Sequence, residues 1–326
     1  MALWTPDKIT TALWLDAADS STITESGGAV SQWADKSGNG RDATQATGSA
    51  QPALTSDAIN SLDALTFDGS NDRLDISNPP INGTTPRSIF AVVRPHTYGD
   101  SGVGFLALES GMTEDGSMWY QCIEPDGFYI RVRGNAFWTP TPALNTPHLS
   151  SVIWASGGVD DTDVFSNGTP LALAGGNYKP INTASTHAVI GATLEGAFPH
   201  FDGDIAEIVI VASAVDTPTR QKTEGYLAHK WGLAANLPAE HPYKDAAPII
   251  LSLFGTITDK DSNPAERRIT VLDSAGHCVA TDTSDPITGT YNIEMPNDDP
   301  YTLVFDGEPD RNAQVFANVI PGEPPA

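Results

Sequence analysis

Short apolar runs, some continuous and some alternating with polar residues, recur through the first two thirds of the chain. Examples are RSIFAVVRP at 87–95, LSSVIWAS at 149–156 and FDGDIAEIVIVAS at 201–213, with glycine-rich turns between such runs. Strands of this length, repeated about every ten residues and separated by turn residues, are typical of antiparallel sandwiches. The pattern therefore predicts an all-β first domain.

The period changes to that of a helix after residue 213. Thr217 can cap a helix whose first position is Pro218, since a missing N–H costs nothing there. Leu227 and Trp231 fall on one apolar stripe, and Gly232 supplies a left-handed stop. We predict one helix, packed on the sandwich with Trp231 in its buried face.

A proline-bearing stretch separates this pattern from a second β series. NLPAEHPYKDAAP, at 236–248, carries three prolines and predicts a linker. Beyond it, FGTITD, RRITVLD, HCVATD, GTYNIEM and YTLVFDG alternate with turns and predict a small sandwich. We therefore place one domain at 1–245 and another at 249–322.

Composition and charge narrow the classes of partner. The 326 residues carry 17 Lys and Arg against 41 Asp and Glu, a net charge of −24. Such a chain is repelled by nucleic acid and by anionic membranes. No apolar run approaches the ~20 residues of a membrane span.

The N-terminal sequence, MALWTPDKIT, lacks the features of a secretory signal. Cys122 and Cys278 fall in different predicted domains, so no disulfide is expected.

Several motifs, taken in order, resemble a known family. LWLDAADSSTIT, VSQWADKSGNGRDATQ, LTFDGSNDRLDI, FDGDIAEIVI and EGYLAHKWGL with LPAEHPY resemble the laminin-G-like, concanavalin A-like modules of bacteriophage virion proteins and bacterial surface proteins. The stretch from FGTITD to VFDGE resembles carboxypeptidase-regulatory-like, transthyretin-like sandwiches. The resemblance implies a concanavalin A-like jelly roll with one C-terminal packing helix, then a small Ig- or transthyretin-like sandwich.

The resemblance also implies a function. We expect a phage virion protein of the tail or baseplate that binds a host-surface glycan, is made in the host cytoplasm without a signal peptide, and is present in multiple copies among other virion proteins. The alternatives are a purely structural head or tail decoration protein and a bacterial carbohydrate-binding surface module. Binding of glycans by the isolated protein separates adhesion from decoration.

Concanavalin A-like folds include glycoside hydrolases, so the presence or absence of catalytic motifs bears on the function. A retaining hydrolase needs two carboxyl groups about 5–5.5 Å apart. Asp202 and Asp204 share a strand face, but Glu207 has the opposite parity, and the family's E-x-D-x-x-E signature is absent. No nucleophile elbow, zinc spacing or phosphate loop occurs either. The sequence therefore predicts a non-enzymatic protein without a cofactor.

Two acidic loops are candidate Ca²⁺ sites, because a hard cation takes several oxygen ligands from a short loop. One holds Asp160, Asp161 and Asp163; the other holds Asp68 and Asp72. The alternative is that both are solvated loops of an acidic protein.

The candidate ligand-binding residues lie in SMWYQCIEPDGFYIRVRGNAFWTP. Alternation places Tyr129, Arg131 and Arg133 on one strand face, towards solvent, and Phe128 and Ile130 on the other, towards the core. Aromatic faces beside polar groups suit sugar rings and their hydroxyls. The predicted set is Trp119, Tyr129, Arg131, Arg133 and Trp138; the alternative is an exposed face of mixed charge.

Overall fold

The computed structural model describes residues 3–98, 104–109, 119–131, 135–176, 180–183, 187–192, 200–259, 261–295, 301–306, 314–319 and 321. It divides into two compact units: Thr5–Ala247, the first unit, and Met1–Trp4 with Pro248–Ala326, the second unit. Both are built of antiparallel strands, and the described residues contain one α-helix. The predicted all-β sandwich architecture is thus confirmed.

Eighteen strands form the first unit over its described residues. They are β1 (Thr11–Asp16), β2 (Ile23–Ser26), β3 (Ala29–Trp33), β4 (Ala43–Thr44), β5 (Ala53–Ile59), β6 (Leu62–Asp68), β7 (Leu74–Ile76), β8 (Arg87–Pro95), β9 (Gly104–Glu109), β10 (Trp119–Glu124), β11 (Gly127–Arg131), β12 (Asn135–Thr139), β13 (His148–Trp154), β14 (Asp163–Ser166), β15 (Thr169–Pro170), β16 (Ala172–Gly176), β17 (His187–Ile190) and β18 (Asp202–Val211).

The strands form two layers. The helix layer runs β15–β14–β13–β8–β18, and the free edge of β18 pairs with β6 over residues 202–205 and with β1 over 207–211. The front layer runs β4–β7–β17–β9–β10–β11–β12–β16. Alternate residues of both layers meet in one apolar core that includes Trp33, Trp138 and Trp154. This is the alternation that the sequence shows.

The helix α1 (Thr217–Lys230) packs on the outer side of the helix layer. Leu227 and Trp231 join Phe90, Val92 and other residues of that layer in a second apolar cluster. Trp231 is 1% exposed, as its place on the predicted stripe requires. The helix begins one residue earlier than the sequence suggests, because the side chain of Asp216, not Thr217, accepts the Thr219 N–H at 2.9 Å.

A buried carboxylate ties the helix to the sandwich. Glu207 of β18 is fully buried and accepts hydrogen bonds from Trp14 Nε1, Trp231 Nε1 and Lys230 Nζ, each at 2.7 Å, and from the Tyr226 hydroxyl at 3.0 Å. Burial raises the pKa of Glu207, and the Lys230 ammonium opposes that shift. Donors from β1 and α1 therefore converge on one group of β18.

The segment predicted as a linker, 236–248, is largely part of the first unit. Leu237 and His241 are buried, and His241 Nε2 lies 3.3 Å from Glu224 Oε2 of the helix. The Lys244 ammonium also donates to the Ala235 carbonyl at 2.9 Å. The three prolines mark irregular backbone, but this backbone is packed against the helix, which corrects the prediction of a free linker.

The second unit holds six strands over its described residues: β19 (Leu251–Thr256), β20 (Arg268–Leu272), β21 (Cys278–Thr283), β22 (Thr290–Met295), β23 (Tyr301–Phe305) and β24 (Gln314–Val319). They form a two-stranded sheet, β19–β22, and a four-stranded sheet, β21–β20–β23–β24. Leu253, Val271, Ile293 and Leu303 lie in its core. Residues 1–4 group with this unit, since the Trp4 N–H donates to the Pro248 carbonyl at 2.9 Å.

Candidate functional site

Two aromatic rings stack on the outer face of the front layer. Phe128 and Ile130 of β11 point into the core, so Tyr129 faces outward. Its ring lies opposite Phe137 of β12, with centroids 5.0 Å apart and planes 16° apart. Phe137 is half-buried, whereas Tyr129 is only 7% exposed. Phe137 is therefore the more exposed member of the pair.

Two glycines allow Phe137 to lie close to the sheet. A Cβ atom at Gly127 would lie 3.0 Å from the Phe137 ring and 2.8 Å from the Trp138 carbonyl oxygen. A Cβ atom at Gly175 of β16 would lie 2.8 Å from the same ring. A larger residue at either position would have to displace the ring, so the local sequence is suited to this aromatic pair.

Charged groups border the pair on the same strands. The Arg131 guanidinium lies 4.7 Å from the Tyr129 ring centroid and donates to the Glu124 carboxylate. The Tyr129 hydroxyl donates to Asp126 Oδ2 at 3.0 Å. Burial and the Asp126 carboxylate raise the pKa of Tyr129 to about 12, so the phenol remains protonated at neutral pH. We call Glu124, Asp126, Tyr129, Arg131 and Phe137 the aromatic face.

The five predicted ligand-binding residues do not come together as one set. Tyr129 and Arg131 do, but Tyr129 is buried in contact with Phe137 and Arg131, which corrects its predicted exposure. Trp138 is 2% exposed and lies in the core between the layers, so it is not a ligand-binding residue. Trp119 lies in β10, and its side chain lies outside the described residues, as does all of Arg133.

Three residues of the aromatic face are not among those predicted from the sequence: Phe137, Glu124 and Asp126. Alternation within NAFWT carried part of the signal, because it separates Phe137 from Trp138. The remaining part is the register of β11 against β12, which pairs Tyr129 with Phe137. That register is a property of the folded sheet and is not contained in either segment alone.

The first acidic loop does not gather its three carboxylates. Asp161 Oδ2 accepts the Gly158 N–H at 2.7 Å, and Asp163 lies exposed at the start of β14. Asp160 and Asp161 both belong to the short 3₁₀ turn Val159–Asp161. Over the described residues, no group of three or more His, Cys, Asp or Glu side chains is arranged to hold a metal ion.

The second acidic loop uses its carboxylates within its own turn. Asp68 Oδ1 accepts the backbone N–H groups of Ser70 at 2.8 Å and Asn71 at 3.2 Å, and Asp72 Oδ2 accepts the Asp68 N–H at 3.1 Å. Burial, with Asp68 nearby, raises the pKa of Asp72 to about 6. Both carboxylates therefore stabilise the turn.

A polar cluster surrounds Asp204 on the outer side of the helix layer. Asp204 is 1% exposed and accepts from Arg94 Nε at 2.6 Å, from the Thr66 hydroxyl at 2.6 Å, and lies 3.0 Å from His96 Nε2. Asp202 Oδ1 lies 3.4 Å from the other ring nitrogen of His96. Because these partners belong to β6 and β8, Asp204 links three strands of the helix layer.

No family model matches the chain, and no curated protein matches it. Solved structures of similar fold include domain 4 of a GH43 extracellular arabinanase from Geobacillus stearothermophilus in complex with arabinotriose (13% identity, TM-score 0.46, covering 64% of this chain and 94% of that one). A Trypanosoma rangeli sialidase in complex with 2,3-difluorosialic acid has 14% identity and a TM-score of 0.41, covering 64% of this chain and 31% of that one. An arabinofuranosidase complexed with arabinofuranosyl-α-1,2-xylobiose has 11% identity and a TM-score of 0.45, covering 90% and 68%.

These comparisons contradict the prediction of a non-enzymatic protein. The chains of similar fold come from an arabinanase, a sialidase and an arabinofuranosidase. The prediction of a non-enzymatic protein is therefore withdrawn. The identities of 11% to 14% indicate similarity of fold alone.

No helix among the described residues is long and apolar enough to cross a membrane.

Proposed function

We propose that the first unit binds a carbohydrate at the aromatic face, and that it does so on the surface of a bacteriophage particle that contacts a host-cell glycan. The observation that carries the binding proposal is the half-buried Phe137 ring, stacked on Tyr129 and bordered by Arg131 and Glu124. The sequence motifs that resemble phage virion modules support the second part.

The chemistry of the aromatic face suits a sugar ring. The apolar C–H side of a pyranose or furanose packs on an aromatic face, while its hydroxyls need donors and acceptors nearby. Phe137 supplies the ring, Arg131 is a donor and Glu124 is an acceptor. Stacking on Tyr129 restricts the motion of Phe137, so little conformational entropy is lost on binding.

A glycan array of bacterial surface polysaccharides, probed with the full chain, tests binding. We expect Phe137→Ala to lower the affinity for any bound glycan at least about tenfold, equal to about 1.4 kcal/mol. Leu173→Ala is the matched control: Leu173 is an apolar residue of the same layer, is 47% exposed and lies beside Trp138 rather than Phe137. Equal affinities for the two variants would refute the proposed site.

Immunogold electron microscopy of phage particles tests the location. Labelling at the tail or baseplate, together with adsorption to host cells that the free protein inhibits, is the expected result. Labelled particles whose adsorption the free protein does not inhibit would favour decoration. A protein that is found on bacterial cells and not on particles would favour the bacterial surface module.

A further inference from the structure

The second unit contains a groove of about 600 Å³ that no part of the proposed function uses. It lies where β19 and β22 approach the end of β21, and its lining includes Phe254, Asp282, Asp285 and Asn292. Among the described residues, β22 pairs only with β19, and β21 only with β20, so the groove borders edge strands of both sheets of this unit. We refer to it as the second-unit groove.

An aromatic side chain forms one wall of the groove. Phe254 is 43% exposed although its neighbour Leu253 lies in the core, so the ring points away from the core. Tyr291 is a second ring of the lining, and it is held by an edge-on contact with Phe305 at 5.7 Å between centroids.

A polar group stands directly beside the exposed ring. Phe254 and Asn292 are cross-strand partners in the register of β19 and β22, so their side chains leave the sheet on the same face. Asn292 is exposed, so its side-chain amide is accessible to a ligand. An amide offers both donors and an acceptor, and the hydroxyl of Thr290 lies one pair further along the same face.

The charges of the groove select against anionic ligands. Among the described residues, no Lys, Arg or His lines it, whereas Asp282 and Asp285 do. Each carboxylate is partly engaged: Asp282 Oδ1 accepts the Thr283 N–H at 2.8 Å, and Asp285 Oδ1 accepts the N–H groups of Ile287 at 2.8 Å and Thr288 at 2.7 Å. These N–H donors offset part of the charge of both carboxylates, so the groove favours a cationic ligand less strongly. The remaining carboxylate oxygens can accept hydrogen bonds from the hydroxyls of a ligand.

From these observations we propose that the second-unit groove binds a neutral oligosaccharide, whose sugar ring packs on Phe254 while its hydroxyls bond Asn292 and the groove carboxylates. This site is separate from the aromatic face and does not depend on it. If both sites bind glycans, linkage within one chain raises the avidity for a surface that presents many copies.

The test uses the full chain with Phe137→Ala, which removes the platform of the aromatic face. Cellohexaose, maltohexaose and β-1,4-galactotetraose are the probes, and saturation-transfer NMR with titration calorimetry measures binding. We expect at least one probe to bind this variant, and addition of Phe254→Ala to weaken that binding at least tenfold. Asn292→Ala should weaken it as well.

Val279→Ala is the matched control, since Val279 is 45% exposed in the same unit but outside the groove lining. It should leave binding unchanged, and urea unfolding of each variant should show that the second unit remains folded. Binding that Phe254→Ala does not change, binding of none of the three probes, or binding of tetralysine in their place would each overturn the proposal. Binding by the unmodified chain that Phe137→Ala alone abolishes would assign that binding to the aromatic face and would also overturn the proposal.

Discussion

At the scale of single residues, His148 is a buried titratable group, and no hydrogen bond from a described residue offsets the cost of its burial. It lies in β13 and is 3% exposed, and neither ring nitrogen has a hydrogen-bond partner among the described residues. Burial disfavours the charged imidazolium and lowers the pKa of His148 to about 4. The ring is therefore neutral in the native state at pH values where an unfolded chain would be protonated.

This difference predicts a pH dependence of stability. Above about pH 6.5 His148 is neutral in both states; as the pH falls towards 4, the unfolded chain gains a proton that the native state does not. At pH 5 this should cost about 2 kcal/mol relative to pH 7. In His148→Leu we expect that part of the loss to vanish. Urea unfolding at both pH values, followed by tryptophan fluorescence, measures it.

Ser150→Ala is the matched control for His148→Leu. Ser150 lies two residues along the same face of β13, and its buried hydroxyl also has no partner among the described residues, but it does not titrate. Its removal should leave the difference between pH 7 and pH 5 as in the unmodified chain. An unchanged difference in His148→Leu would show that the histidine is protonated, or hydrated, in the native state.

Tyr129 shows which residue-scale properties the sequence does and does not determine. Alternation alone separates Tyr129 from Phe128 and Ile130, and the structure confirms that division, since the latter two lie in the core. The low exposure of Tyr129 could not be predicted from alternation. It depends on Phe137, which reaches Tyr129 only through strand register, and on glycines at 127 and 175.

At the scale of elements, helix α1 is the part of the fold that the sequence specifies most directly. The change from period 2 to period 3.6 and the glycine stop predict its place and its buried face. Its partners were not predictable, because Trp14 and Glu207 are distant in sequence and meet the helix only after β1 and β18 have paired. The packing of residues 236–247 against the helix could not be predicted, because prolines indicate irregular backbone but do not indicate whether it is buried.

We predict that Trp231→Ala destabilises the first unit by about 3–5 kcal/mol, the range for loss of a buried aromatic side chain. The ring is 1% exposed, and its Nε1 donates to Glu207. Tyr226→Phe is the matched change: it removes one donor to Glu207 and keeps the ring, so we expect about 1–2 kcal/mol. Denaturant unfolding of both variants gives the comparison.

A loss below about 1 kcal/mol for Trp231→Ala would show that the contacts of the helix with the sandwich contribute little. An equal loss for the two variants would assign the effect to the hydrogen bonds of Glu207 rather than to packing. Either result would contradict the account of the helix as an apolar stripe seated on the helix layer.

At the scale of the whole molecule, charge and sheet edges govern self-association. The chain carries a net charge of −24, which opposes close approach of identical copies at low salt. Strand edges are the surfaces on which β proteins associate most readily. In the second unit, the edge strand β21 carries Asp282 and is largely exposed, and a charge at an edge discourages pairing with another strand.

We therefore expect the isolated chain to be monomeric at micromolar concentration in ~0.15 M salt, where the Debye length is about 8 Å. Multiple copies would then be arranged by a particle rather than by an intrinsic interface, in line with the proposed virion role. Sedimentation velocity at ~0.15 M and ~1 M salt is the measurement. Screening at the higher salt removes most of the repulsion, so association that appears only there would show that charge was the barrier. A tight trimer at the lower salt would establish an interface strong enough to overcome a charge of −24 per chain.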